Sequence, residues 1–159
     1  MTDVVVRPYR DEDYDKVVEL TVGPLGQSRK VAEDVIGRVP TVEHAEIFVA
    51  EKEGTVVGYI MMEYPGSEKW AKIAYISWIA VNPEQQRKGY GSELIRAGEE
   101  SARKRGMRRL YVEPTIKDDH AMCFYIMNGL MPEGRRIGYY PDGSDSIVLG
   151  KGLLRAPKE

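Results

Sequence analysis

Two periodicities alternate along the chain. Short runs of β-branched and aromatic residues are separated by segments in which apolar side chains return every third or fourth position. Val4-Val5-Val6 is such a run, stopped by Pro8, and predicts a first strand. Asp11, Glu12 and Asp13 then supply the negative charge that a helix start favours. Tyr14, Val17, Val18 and Thr21 follow on one helical face, which Gly23-Pro24 ends. Residues 28–38 predict a second helix with Val31, Val35 and Ile36 inward. Ile47–Ala50 and Val56–Met62 read as strands joined by the Glu53-Gly54 turn. Trp70–Val81 is a longer strand that Asn82-Pro83 stops, because proline cannot continue the ladder.

From Gly89 the period becomes helical. Tyr90, Leu94, Ala97, Gly98 and Ala102 share one face, and Gly106 suits the residue after the helix end. Leu110–Glu113 is a strand ended by Pro114, and Asp118 or Asp119 caps a helix running to Asn128-Gly129. Arg135–Tyr140 and Ser146–Leu149 flank Pro141-Asp142-Gly143 as a hairpin. The order is β-α-α-β-β-β-α-β-α-β-β. Strands two to four form an antiparallel meander in this reading, whereas the βαβ unit around residues 75–113 requires a parallel pair. The sheet is therefore mixed, in an α/β (α+β) fold. With 159 residues and no repeat, linker or low-complexity segment, a single domain over 1–159 is expected.

Composition narrows the classes. Hydrophobic residues at 42% and charged residues at 30% suit a soluble globular chain with a core. A net charge of −2 argues against a general nucleic-acid binder, so no specific nucleic-acid partner is expected. The single cysteine, Cys123, excludes an intrachain disulfide and a thiolate zinc site, and no metal is expected. On an apolar helix it reads as inert core rather than as a nucleophile. Met1-Thr2-Asp3-Val4 lacks the basic and apolar regions of a signal peptide, and no apolar run has membrane-spanning length. The expectation is a cytoplasmic protein with no membrane partner, monomeric or homodimeric.

The most specific chemistry lies at Gln86-Arg87-Lys88-Gly89-Tyr90-Gly91, after a strand and a proline turn and at the opening of a helix. First-turn amides of a helix lack intrahelical partners, and the helix dipole adds positive charge there. Gly89 and Gly91 let backbone approach an anion, and Arg87 and Lys88 add formal charge. That combination suits a pyrophosphate. Position 92 is Ser, not the Lys of a P-loop, and position 94 is Leu, not the third glycine of a dinucleotide fingerprint. On these residues alone, a solvated glycine-rich helix start with a basic pair remains the alternative.

Gln-x-x-Gly-x-Gly following Ile79-Ala80-Val81-Asn82-Pro83 resembles the acetyl-CoA signature of the GNAT (Gcn5-related N-acetyltransferase) superfamily. The resemblance extends over nearly the whole chain. Arg7-Pro8 with Asp11–Asp13 is similar to the usual opening of these proteins, and Ala121, Phe124-Tyr125 and Gly129-Leu130 to their last helix. It implies a mostly antiparallel central sheet of about seven strands with helices on both faces. It also implies that backbone groups of Ile79, Ala80 and Val81 pair with the pantetheine arm of acetyl-CoA. The amides of Arg87, Lys88, Gly89, Tyr90, Gly91 and Ser92 would hold the pyrophosphate, with Gln86 part of the same coenzyme-binding turn.

By the same resemblance Tyr125 lies near the coenzyme sulfur, as a cofactor contact and as the acid for the departing thiolate. The spacing of Glu113 to Tyr125 is similar to that of the catalytic glutamate in the ribosomal-protein alanine N-acetyltransferase branch, so Glu113 becomes the base and a substrate contact. A strand-end carboxylate facing solvent is the alternative. His120 has a suitable intrinsic pKa for a base but reads better as a surface or capping residue. Many relatives carry Asn where this chain has Asp118, beside the pantetheine, and a carboxylate cannot donate as an amide can.

Tyr139-Tyr140-Pro141-Asp142-Gly143 with Asp145 resembles the C-terminal hairpin of protein N-terminal acetyltransferases, which implies that Tyr139 and Tyr140 contact the substrate. A cross-strand aromatic pair is the structural alternative. Val22–Lys30 would form the opposite wall, and its Gly-Pro-Leu-Gly differs from the motif of that branch. Arg103, Lys104, Arg105, Arg108 and Arg109 read as a solvated helix end, with the coenzyme 3′-phosphate or ribosomal RNA as the minor alternative. The acceptor expected is the α-amino group of a protein N-terminus, in a protein that acts on nascent chains near the ribosome or away from it. The alternatives are a small-molecule amine (polyamine, amino acid or antibiotic) and a non-catalytic acyl-CoA-binding module.

Overall fold

The computed structural model describes residues 3–65 and 72–153. The elements are strand β1 (Val5–Pro8), helices α1 (Tyr14–Val22) and α2 (Arg29–Arg38), strands β2 (Ala45–Lys52), β3 (Thr55–Glu63) and β4 (Ile73–Val81), helix α3 (Tyr90–Lys104), strand β5 (Arg109–Val112), helix α4 (Asp119–Met127), and strands β6 (Met131–Arg136) and β7 (Ser146–Gly152). The expected element order is reproduced. The strands form one mixed, mostly antiparallel seven-stranded sheet in the order β1-β2-β3-β4-β5-β7-β6. The parallel pair sits where the βαβ argument put it, with Ile73, Ala74 and Tyr75 opposite Arg109, Leu110 and Tyr111. The chain groups into two compact units, residues 1–64 with 76–100, and 65–75 with 101–159.

In the first unit α1 and α2 cover one face of β1–β3. Val17, Val18, Ala32, Ile36, Val49, Tyr59 and Met61 form its core, joined by Ala80 from β4. Two details depart from the sequence expectation. Pro8 lies within β1, opposite Phe48, where an edge strand tolerates a residue without an amide hydrogen. Val31 is exposed, because the inward stripe of α2 runs through Ala32 and Ile36 instead. Gly58 is required by close approach: a Cβ there would lie 2.9 Å from the Ala80 carbonyl oxygen.

In the second unit β7 lies between β5 and β6, antiparallel to both. Gly106 ends α3 as expected. With φ of 76° it donates to the Arg103 carbonyl while Met107 donates to that of Ala102, a Schellman closure. Gly129 ends α4 in the same way, through Leu130 N–H on the Tyr125 carbonyl. The hairpin differs from expectation. The strand is Met131–Arg136 rather than Arg135–Tyr140, and residues 137–145 form a connection. Asp145 accepts from the Gly138 amide at 2.8 Å, and Gly138 has φ of 62°, so the backbone leaves the ladder there. Trp70, placed at the start of a strand by its composition, lies outside the described residues, and the strand begins at Ile73.

Candidate functional site

The phosphate turn belongs to the first unit. β4 delivers the chain to Asn82, whose amide donates to the Val57 carbonyl at 2.8 Å and whose side chain accepts from Glu84 N–H at 3.1 Å. A single 3-10 turn, Pro83–Gln85, follows. Gln86 Nε2 reaches back to the Val81 carbonyl at 3.1 Å and clasps the turn to the strand end. The next residues adopt unusual backbone. Arg87 has φ of 63° and Gly89 φ of 84°. For Gly89 this conformation is easy, and for Arg87 it is disfavoured. α3 begins at Tyr90, with Glu93 N–H on the Gly89 carbonyl at 3.1 Å.

The consequence is a donor-rich turn. Among the described residues, the amides from Arg87 to Ser92 donate to no group of the chain. Arg87, Lys88 and Gly89 are exposed, and the Lys88 ammonium is held by Gln85 Oε1 at 2.9 Å. Successive free amides at a helix N-terminus, two flanking cations and an αL glycine fit a diphosphate group. Tyr90 is the exception in the turn, being fully buried, with its hydroxyl donating to the Asp3 carboxylate.

The second unit holds the candidate catalytic and substrate side chains. Glu113 follows directly on β5 and is only 12% exposed. Its carboxylate accepts from Arg136 Nε at 3.0 Å, and its backbone carbonyl accepts from the Tyr140 hydroxyl. Glu113 is thus held at both ends rather than turned to solvent. Tyr125 is buried on α4, packed against Phe124 at 5.4 Å between ring centroids. Burial pushes its phenol well above the ordinary range, with Asp118 and then Tyr140 adding in the same direction. The hydroxyl therefore stays protonated at neutral pH and can donate a hydrogen bond.

The structure brings Glu113, Tyr125, Tyr139 and Tyr140 into one neighbourhood. The Tyr139 and Tyr140 rings meet edge to face at 5.2 Å, and the Arg136 guanidinium lies 5.7 Å from the Tyr139 centroid. Tyr140 is half-buried and Tyr139 is exposed. Asp118 is the N-cap of α4, accepting from Ala121 N–H at 2.9 Å. His120 is exposed in the first turn of α4. Cys123 is exposed, so the expectation of a core cysteine fails: α4 is apolar nearly all round, and its periodicity left the buried face undefined. The basic run is not a uniform solvated end. Arg103 Nε donates to the Leu153 carbonyl, and Arg109 is paired with Glu133 and lies over Tyr111.

Three charged groupings had no signal in the sequence pattern. Arg7 clasps Asp13 through both terminal nitrogens, at 2.8 and 2.9 Å, and reaches Glu51 with Nε at 2.8 Å. Asp3 joins Tyr90 to Lys52. Arg136 supports Glu113. Each includes a link between residues far apart in the chain, Arg7 to Glu51 in the first, and only the Arg7 and Asp13 positions stood out, as part of a family-like opening.

Comparison with known proteins establishes the family. The model of the acetyltransferase (GNAT) family matches residues 14–129, and the chain belongs to that family. It is an N-acetyltransferase. A provisional ribosomal protein bS18-alanine N-acetyltransferase of Bacillus subtilis (strain 168) is 28% identical over 151 residues, covering 93% of this chain and 95% of that one. An N-alpha-acetyltransferase of Sulfurisphaera tokodaii is 30% identical over 125 residues, covering 70% and 75%. The crystal structure of the ribosomal-protein-S18-alanine N-acetyltransferase from Escherichia coli superposes with a TM-score of 0.78 at 21% identity, covering 98% and 97%. Among the described residues no helix is long and apolar enough to cross a membrane.

Proposed function

We propose that this protein transfers the acetyl group of acetyl-CoA to the α-amino group of a protein N-terminus, by direct attack in a ternary complex. The observation that carries the coenzyme half is the run of unpartnered amides from Arg87 to Ser92, opened by the left-handed Arg87 and Gly89. These amides hold the pyrophosphate, and β4 from Ile79 to Val81 offers its backbone to the pantetheine arm. Both units are read as one acetyltransferase domain, because the family match runs through both. The acceptor half is supported by the names of the two relatives, a ribosomal-protein alanine and an N-alpha acetyltransferase.

The amine nitrogen attacks the thioester carbonyl, the C–S bond breaks, and the nitrogen loses a proton while sulfur gains one. An α-amino group with a pKa of roughly 7.7–8.0 is substantially neutral near pH 7.5, so the base needs little power. Glu113 takes the proton, directly or through water, and its clamps from Arg136 and Tyr140 keep it oriented. Tyr125, which burial keeps protonated, donates to the thiolate. Tyr139 and Tyr140 contact the first residues of the acceptor.

The deciding experiment is mass spectrometry of reactions containing acetyl-CoA and peptides of varied first residue, beside a polyamine and amino-acid panel. A single acetyl group on the peptide α-amine, located by fragmentation, is expected. Acetylated polyamines with unmodified peptides would replace this reading by the small-molecule one. Coenzyme binding without acetylation of any amine would leave a non-catalytic acyl-CoA module.

A further inference from the structure

We propose that the side chains of Asp3, Lys52 and Tyr90 form a latch that holds the phosphate turn in its binding conformation, and that these side chains position the turn without touching the coenzyme, which meets Tyr90 only through its backbone amide. The inference rests on the reading that the turn binds the pyrophosphate of acetyl-CoA. The turn has an unfavourable conformation to maintain. Arg87 carries a Cβ in the left-handed region, and the amides from Arg87 to Ser92 gain nothing from the chain itself. Its shape must therefore be imposed from its flanks. On the strand side the Gln86 clasp is local and exposed.

On the helix side the anchor is long-range. Tyr90 is the first residue of α3, 1% exposed, and its hydroxyl donates to Asp3, 87 positions away in sequence. The other oxygen of Asp3 binds the Lys52 ammonium at 2.7 Å, and that ammonium lies 5.9 Å from the Tyr90 ring centroid. Lys52 ends β2, so the latch ties the helix start to the sheet.

The charges fit this role. A lone carboxylate near an anion site would repel the ligand, and Lys52 cancels it. Lys52 and Tyr90 hold the Asp3 carboxyl at about 2, and Asp3 pushes the Lys52 ammonium up to about 12. The pair is thus ionised at any working pH, and the Tyr90 hydroxyl always has a charged acceptor.

The test compares two acyl donors, acetyl-CoA and S-acetylpantetheine, which lacks the pyrophosphate, using the full chain with a peptide acceptor. Tyr90→Phe and Asp3→Ala are each expected to raise the KM for acetyl-CoA by about three- to tenfold, as for loss of one charge-assisted positioning contact. The double variant should be no worse than the poorer single one, since both open the same latch. Lys52→Met, which leaves Asp3 uncompensated, should raise this KM at least as far. Neither Asp3→Ala nor Lys52→Met should change the KM for S-acetylpantetheine by more than about twofold, on the same scale. An equal loss with both donors would overturn the latch in favour of general destabilisation. An unchanged acetyl-CoA KM in Tyr90→Phe would overturn it directly. A wild-type protein that used both donors equally well would instead overturn the pyrophosphate reading beneath it.

Discussion

At the scale of single residues the proposed acid and the proposed base are distinguished by how each is held. Tyr125 is buried against Phe124 with its hydroxyl kept protonated, which suits a group that only donates. Tyr125→Phe removes the proton and little volume. It is expected to lower kcat by about 10²-fold, the lower end for loss of a general acid, with the acetyl-CoA KM changing much less. Steady-state kinetics separates the two constants, and an unchanged kcat would remove Tyr125 from the chemistry. Glu113 is clamped by Arg136 and Tyr140, a geometry that fixes the carboxylate for a repeated task. Glu113→Gln is expected to lose most activity below pH 7, where the acceptor amine is charged, and to recover part of it near pH 9, on the acceptor pKa given above. A deficit that stays flat across that range would make Glu113 a positioning group.

At the scale of elements α4 was only partly legible. Asp118 as cap and Gly129 as terminator follow from residue types at fixed offsets, and both are found. Which face of α4 is buried did not follow, because apolar residues occur all round it, and so Cys123 was misplaced. The hairpin after it departs from expectation for a similar reason. Tyr139 and Tyr140 have strand propensity, but the Gly138 turn and its bond to Asp145 depend on tertiary placement. Asp118 offers a test that separates capping from ligand contact. Asp118→Ala should cost about 1 kcal/mol in unfolding free energy, read by urea titration, through loss of the cap. Asp118→Asn keeps an acceptor for the Ala121 amide and adds a donor. It should preserve stability and lower the KM for acetyl-CoA, the outcome expected where a pantetheine contact prefers an amide. An Asn variant with unaltered KM would confine Asp118 to capping.

For the molecule as a whole, the succession of elements and the parallel pair were legible because they follow from hydrophobic period and crossover rules, whereas the place of β7 between β5 and β6 and the ion pairs that brace the sheet edge were not, since charge pairing across the chain leaves no periodic trace. The Arg7 grouping carries the sharpest consequence. Arg7 is mostly buried, and so is Asp13, which also accepts from the Arg10 amide at 2.8 Å. The Arg7 guanidinium first, and the Arg10 backbone bond after it, hold the Asp13 carboxyl below the usual carboxylate range, while Asp13 raises Arg7 further. A lowered folded-state pKa means that the stabilisation is fully present above the unfolded value of about 3.9 and is lost as pH falls through the folded value. Removing one partner of a buried pair leaves the other uncompensated, at a cost of about 3–5 kcal/mol. Glu51 still faces Arg7, so Asp13→Asn should fall at the low end, about 3 kcal/mol on the same scale at pH 7. Urea midpoints measured from pH 7 down to pH 3 should show the wild-type protein converging on the variant below about pH 4, where the Asp13 carboxyl begins to protonate in the unfolded chain. A gap between the two that stays constant to pH 3 would mean that the Asp13 carboxyl is not lowered in the folded protein, and would overturn the charge on Arg7 as the source of its stabilisation.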